Sequence, residues 1–205
     1  MKKGIFISME GPDGSGKSTQ IKYIKKYFEE KGREVVLTRE PGGTDIGEKI
    51  RQIILDRDNA EMTGLTEVLL YASSRAQHVS QVIKPALEAG KVVICDRYVD
   101  SSLAYQGYGR GLLEQVKIIN GVACQDVMPD LTLFMDLAPG KSMKRIREGS
   151  QDRIESEKME FHERVYRGYK EMAKNQPDRF VCVDATKTVG QIRREIAQWL
   201  DGLMR

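Results

Sequence analysis

Cysteine is scarce in this 205-residue chain, with three residues and no CxxC pair among them. A disulfide framework is therefore not indicated, and Cys95, Cys124 and Cys182 read as reduced structural residues, Cys95 and Cys182 within apolar runs. No hydrophobic run approaches transmembrane length. The apolar stretch Ile5-Phe6-Ile7 behind Met1-Lys2-Lys3 is too short for a signal peptide, so a cytoplasmic location is the expectation. A charge excess is missing too: 33 basic against 30 acidic residues leave +3, too little to argue for a nucleic-acid partner. Neither internal repeats nor low-complexity tracts occur.

What is present is an ordinary soluble composition, 40% hydrophobic and 31% charged, at a length that suits one domain over residues 1–205. Short apolar runs at Gly4 to Met9, Glu34 to Thr38, Lys91 to Cys95, Leu131 to Leu137 and Phe180 to Asp184 predict buried parallel strands. Helical patterns lie between them: Ser18 to Lys31 ended by Gly32, a long Glu67 to Ala89 bent at Pro85, Leu112 to Gln125, and Val189 to Leu203. Alternating strands and helices imply an α/β fold, a five-stranded parallel sheet covered on both faces. The charged segment Glu148 to Glu160 reads either as a solvated face or as a small mobile lid over phosphates.

Gly11-Pro12-Asp13-Gly14-Ser15-Gly16-Lys17-Ser18 satisfies G-x-x-x-x-G-K-[ST] between a predicted strand and a predicted helix, the context that confirms a phosphate-binding loop. Its glycines let backbone N–H groups curl around phosphate oxygens, and the helix start adds its positive dipole end. Lys17 supplies a mobile cation for the β- and γ-phosphates, and Ser18 a hydroxyl ligand for Mg²⁺. Such a loop does not by itself distinguish an ATPase, a GTPase or a kinase. The chain has no Asn-Lys-x-Asp motif for guanine, no second ATPase signature and no DNA-binding element. A kinase for a small anionic acceptor remains.

Polar segments at strand C-termini mark the crevice where open α/β sheets bind ligands. Arg39 follows the second strand and Arg97 the third. Each could be a surface ion-pair partner of its neighbouring acid. Together, facing a phosphate loop, they suggest a second phosphate-bearing molecule held by planar guanidinium forks. Asp96, directly after an apolar strand, suits the Mg²⁺ shell. Asp13 is unexpected, because an acid inside the loop repels ATP phosphates unless something offsets it.

Asp96-Arg97-Tyr98-x-x-Ser101-x-x-Ala104-Tyr105-Gln106-Gly107, with Arg39-Glu40-Pro41-Gly42-Gly43-Thr44 and the phosphate loop, resembles the thymidylate kinases. The likeness continues through Leu69 to His78 and Asp152-Arg153-Ile154-Glu155, and spans essentially the whole chain in order. It implies a P-loop NTPase fold, transfer of the γ-phosphoryl of ATP to thymidine monophosphate with Mg²⁺, and a homodimer. It further implies that Tyr71 stacks on thymine and that Arg75 donates to its O4. Ser101 or Ser102 would touch the base edge, Gln106 would lie near the base, and Tyr105 near the sugar C2′. Asp13 would reach the sugar 3′-hydroxyl, while Arg39 and Arg97 clamp the acceptor phosphate.

On the donor side the resemblance assigns ATP binding to Gly11 through Ser18 with Thr19. Arg145 would stack on adenine, and Ala185 and Thr186 would line its edge. With Gly14 and Ser15 in the variable loop positions, the sequence resembles members whose catalytic arginine sits in the lid. Arg153 is then the first expectation and Arg147 the second, beside Lys17 and Arg97. Two other readings stay open at this point: a different nucleoside or nucleotide kinase, or a non-catalytic P-loop protein.

Overall fold

The computed structural model describes residues 3–145 and 152–204. Five strands, β1 (Ile5–Glu10), β2 (Val35–Arg39), β3 (Val92–Asp96), β4 (Leu131–Asp136) and β5 (Phe180–Asp184), form one parallel sheet in the order β2-β3-β1-β4-β5. Each lies within a residue or so of the apolar run that predicted it. Parallel strands are buried on both faces, so they carry continuous apolar sequence rather than alternation. All of β1 is buried, for instance. Registers such as Ile5 with Val92 and Ile7 with Leu131 bring the C-terminal ends of β1, β3 and β4 to one edge.

Helices cover both faces. In chain order they are α1 (Lys17–Glu29), α2 (Asp45–Leu55), α3 (Gly64–His78), α4 (Lys84–Glu88), α5 (Val99–Ser102), α6 (Leu113–Ala123), α7 (Pro139–Met143), α8 (Met159–Asn175) and α9 (Val189–Leu203). On one face Ile24 and Phe28 of α1 and Ile192, Ile196 and Leu200 of α9 pack against Ile5, Ile7 and Met9. A capping box between Thr188 and Gln191 starts α9, satisfying orphan N–H groups of its first turn. On the other face, Phe6 packs with Val79, Ile83 and Tyr98, and Phe134 with Phe161, Val165 and Tyr169.

Three differences from the sequence reading matter for the site. The long helix expected over Glu67 to Ala89 begins at Gly64 and is broken into α3 and α4 by a π-helical turn, Val79–Ile83. Pro85 has no N–H for the carbonyl one turn back, and the chain widens there, with the Lys84 N–H reaching back to the Val79 carbonyl. The charged segment gives way at Met159 to α8, which the sequence reading did not contain. Its buried face, Phe161, Val165, Tyr169 and Met172, recurs at helical spacing between charged residues. α5 and the π-helical Leu103–Gly109 that follows it were likewise unforeseen, and together with α3 and α8 they wall the crevice.

Candidate nucleotide site

A deep pocket opens at the C-terminal ends of β1, β2, β3 and β4, and Asp13, Arg39, Tyr71, Arg75, Arg97 and Gln106 line it. Open α/β sheets place ligands at this edge because the strand order reverses there, here where β1 sits between β3 and β4.

The loop from Gly11 joins β1 to α1. Gly16 precedes the helix at φ 94°, a left-handed conformation that favours glycine. Gly14 is needed for space as well: a Cβ there would stand 3.0 Å from Arg145 Cβ. Arg145 lies across the loop and donates from Nη1 to the Gly14 carbonyl at 3.3 Å. Ser18 and Thr19 are exposed in the first turn of α1, and the buried Ser15 hydroxyl has no hydrogen-bond partner. Lys17 is buried, and its Nζ donates to the Gly11 and Pro12 carbonyls at 3.0 and 3.1 Å and to Asp13 Oδ1 at 3.3 Å. Burial and the nearby Arg97 charge lower its pKa, and Asp13 counters them. Ala185 and Thr186 follow β5. The Ala185 N–H donates to the Asp136 carbonyl and Thr186 is held to Asp184 Oδ1, outside the residues lining the pocket.

Asp13 sits between two cations. Besides Lys17 it accepts both contacts of Arg97 Nη2, at 3.2 and 3.1 Å. Burial would raise its pKa, but Arg97 and Lys17 outweigh that and hold the carboxyl well below the ordinary range. This offsets the acid that seemed out of place in the loop.

Arg97 itself is a non-glycine residue at φ 69°, a conformation retained only where its surroundings impose it. Its N–H donates to the Met9 carbonyl at 2.9 Å. Its Nη1 reaches Ser101 Oγ at 3.5 Å and the Tyr105 hydroxyl at 3.4 Å. Behind it stands Glu10, fully buried at the end of β1. Glu10 accepts from Ser8 Oγ, the Tyr98 N–H, Ser101 Oγ and the Tyr169 hydroxyl at 2.7, 2.8, 2.5 and 2.9 Å. Burial, then the charge of Asp100, push its pKa up to about 7. Glu10 was not expected at the site, although a carboxylate closing an apolar strand is a visible signal.

The remaining expected residues divide. Tyr71 and Tyr105 line the pocket. Arg39 lines it too, more than half exposed, with Nη2 paired to Glu48 Oε2 at 2.9 Å. Arg75 is almost wholly buried. It gives Nε and Nη2 to Glu40 Oε2 at 2.8 and 2.7 Å and Nη1 to Ser102 Oγ at 3.0 Å and to Asn120 Oδ1. Ser102 therefore lies behind Arg75, away from the pocket lining, and Ser101 is committed to Glu10 and Arg97. Gln106 is buried; its Nε2 donates to Glu67 Oε1 at 2.8 Å and its Oε1 has no partner. Asp96 lines the pocket with its buried Oδ1 unpartnered.

Arg153 requires a correction. It was expected to serve as a catalytic lid arginine, but it is buried, and it donates Nε to the Ile54 carbonyl at 2.9 Å and Nη2 to Glu67 Oε2 at 2.7 Å. A desolvated guanidinium already paired with a desolvated carboxylate is costly to pull away toward a phosphate. Arg147, the other expectation, lies outside the described residues. Further pocket residues were missed, Arg51, Glu155 and His162 among them. Burial and then the nearby Asp152 and Asp13 raise the pKa of Glu155, although the Asp152 N–H it accepts opposes them.

The sequence pattern of one family, described as Thymidylate kinase, matches residues 9–196. The thymidylate kinase of Lactobacillus delbrueckii subsp. bulgaricus is 53% identical over 195 residues, which cover 93% of this chain and 92% of the relative. That of Thermoanaerobacter sp. is 47% identical over 195 residues, with 95% and 96% covered. Among solved structures, thymidylate kinase from Ehrlichia chaffeensis superposes with a TM-score of 0.79 at 34% identity, covering 97% of this chain and 99% of that one.

Proposed function

The chain belongs to the thymidylate kinase family and phosphorylates thymidine 5′-monophosphate to the diphosphate with ATP, and we propose a division of that work among its own residues. The observation that carries the proposal is Asp13, which sits in the donor loop yet is bound to Arg97 on the acceptor side. Donor and acceptor sites share a wall there, as direct transfer between two phosphates requires.

The Gly11–Ser18 loop, with Thr19, cradles the triphosphate. Arg145 covers the adenine, and Ala185 and Thr186 border it. Arg97 and Arg39 hold the acceptor phosphate, Asp13 takes the sugar 3′-hydroxyl, and Tyr105 crowds C2′. Tyr71 stacks on the base, Arg75 donates to O4, and the free Gln106 carbonyl accepts the N3–H. Ser101 and Ser102 act one layer back, holding Arg97 and Arg75. An oxygen of the acceptor phosphate attacks the γ-phosphorus while the bond to the β,γ-bridging oxygen breaks. That oxygen is already anionic, so alignment and charge neutralisation suffice, supplied by Lys17 and Arg97. Arg153 being engaged by Glu67, the lid contribution falls to Arg147.

The donor set fits Mg²⁺. Asp96 offers an unpartnered carboxylate oxygen and Ser18 an exposed hydroxyl. Among the described residues no group of three or more His, Cys, Asp or Glu gathers to cage a metal. Mg²⁺ is typically held in this sparse way, with phosphates and water completing its shell. When bound, Mg²⁺ neutralises charge on the β- and γ-phosphates.

A cytoplasmic single-domain homodimer is part of the same reading. Among the described residues no helix is long and apolar enough to cross a membrane. Exposed apolar residues on α3 and α6, Leu65, Leu69, Ile118 and Val122, suit a partner face. The test is a phosphoryl-transfer screen with ATP and Mg²⁺ across the common nucleoside monophosphates and thymidine. Fastest turnover with thymidine monophosphate, and slower turnover with deoxyuridine monophosphate, is expected. A preference for thymidine itself would favour a nucleoside kinase, and nucleotide binding without transfer a non-catalytic protein.

A further inference from the structure

Glu67 belongs to none of the roles above, yet it is fully buried in the first turn of α3 beside the acceptor pocket. Its neighbours at four-residue spacing on the same helix face are Tyr71 and Arg75, both lining the pocket. Four donors converge on its carboxylate. Oε1 accepts from Gln106 Nε2 at 2.8 Å and Arg110 Nε at 3.3 Å; Oε2 accepts from Arg110 Nη2 at 3.0 Å and Arg153 Nη2 at 2.7 Å. Burial works against its ionisation, but these donors prevail and lower its pKa.

An ionised carboxylate accepts and never donates. Gln106 must therefore turn its NH₂ toward Glu67, and its planar amide then aims the carbonyl the other way. That Oε1 is buried and has no partner, on a residue that lines the pocket, so it is an acceptor left for a ligand N–H. We propose that Glu67 is the positioning residue that sets the acceptor specificity of this enzyme, by locking the Gln106 amide so that an imide N–H is accepted and a ring-nitrogen lone pair refused. The inference rests on the acceptor reading given above. Thymine and uracil carry an N–H at N3; cytosine carries a lone pair there, which would face the Gln106 carbonyl lone pairs in a buried site. Arg110 and Arg153 keep Glu67 charged. Arg153 was expected at the phosphates, whereas its guanidinium binds Glu67, the residue that orients Gln106.

Glu67→Gln tests this, because a neutral amide can offer Gln106 either an oxygen or an NH₂, and the lock is lost. The measurement is kcat/KM for dTMP and for dCMP with ATP and Mg²⁺, in wild type, Glu67→Gln, Arg153→Met and Gln106→Ala. The expected result is a dTMP-to-dCMP preference at least tenfold lower in Glu67→Gln, carried by KM more than by kcat. Arg153→Met, which spares the Glu67–Gln106 bond, keeps the wild-type ratio within about twofold despite lost stability. In a Gln106→Ala background, Glu67→Gln changes the ratio no further. Should Glu67→Gln leave the arginines unpaired and the chain unfolded, Glu67→Gln with Arg153→Gln removes one charge of each sign and carries the same expectation. An equal fall for both acceptors, or an equal shift of the ratio in Arg153→Met, would overturn the proposal and leave dTMP kinase activity intact. A wild-type enzyme indifferent between dTMP and dCMP would overturn the acceptor reading and this inference with it.

Discussion

Arg97 binds Asp13 through both carboxylate oxygens, at 3.2 and 3.1 Å, and so ties the end of β3 to the glycine-rich loop after β1. The pair explains an acid in a phosphate loop, since Lys17 and Arg97 flank Asp13 with positive charge. It also explains how an arginine at φ 69° keeps its aim.

Asp13→Asn tests the contact with the sugar. A group that hydrogen-bonds a substrate hydroxyl penalises an acceptor lacking it. Wild type is expected to favour dTMP over its 3′-deoxy analogue by roughly tenfold or more in kcat/KM. In Asp13→Asn that preference should shrink to about twofold, with kcat for both acceptors reduced as Arg97 loses its tether. An unchanged preference would assign the hydroxyl to another residue.

Glu10 makes stability depend on pH. Its pKa rises from 4.5 to about 7 on folding, so the native state binds the proton more tightly than the unfolded chain. The resulting stabilisation is complete below about pH 4.5 and is lost as pH climbs through about 7. Glu10→Gln, which mimics the protonated side chain, removes this dependence. Denaturant unfolding at pH 4.5, 6 and 8 should show the variant gaining on wild type by on the order of 3 kcal/mol across that range. Parallel profiles would show that Glu10 ionises inside the protein as it does in water.

Arg153 should matter for stability more than for chemistry. Removing one partner of a buried ion pair costs about 3–5 kcal/mol. For Arg153→Met this corresponds to a fall in Tm of roughly 10 °C. Well below the transition, kcat with dTMP should stay within about threefold of wild type, whereas Arg147→Ala should lower it by orders of magnitude. A large kcat loss in fully folded Arg153→Met would return the arginine to the transition state.

Val122 and Ile118 stand one helical turn apart on α6, 80% and 72% exposed, which is unusual for side chains of that size. Sedimentation should find a dimer in solution. Val122→Glu with Ile118→Glu should yield monomers, since a charge buried at such a face finds no partner. A wild-type monomer at micromolar concentration would leave the face without that role.

Much of the site was legible because phosphate binding has strict local requirements. The loop needs glycine at left-handed positions and lysine at a helix start, so Gly14, Gly16 and Lys17 announce it without any neighbour. Arg39, Asp96 and Arg97 were legible because they close apolar strands, and strand ends of a parallel sheet face the ligand. The partners of those residues were harder to see. Arg75 and Glu40 are 35 positions apart, and Arg153 and Glu67 are 86 apart. No local pattern marks which carboxylate a long arginine will reach.

The sequence by itself determined the five parallel strands, helices such as α1 and α9, and the phosphate loop, because hydrophobic period and glycine conformation act within a few residues. Tertiary structure decided which charges meet. It gave Arg153 to Glu67, turned the Gln106 amide nitrogen toward Glu67, set Arg97 against Asp13, and packed α8 over the crevice. In a buried, weakly screening interior, a charge takes the partner that packing brings within about 3 Å, and that choice is made by the fold as a whole.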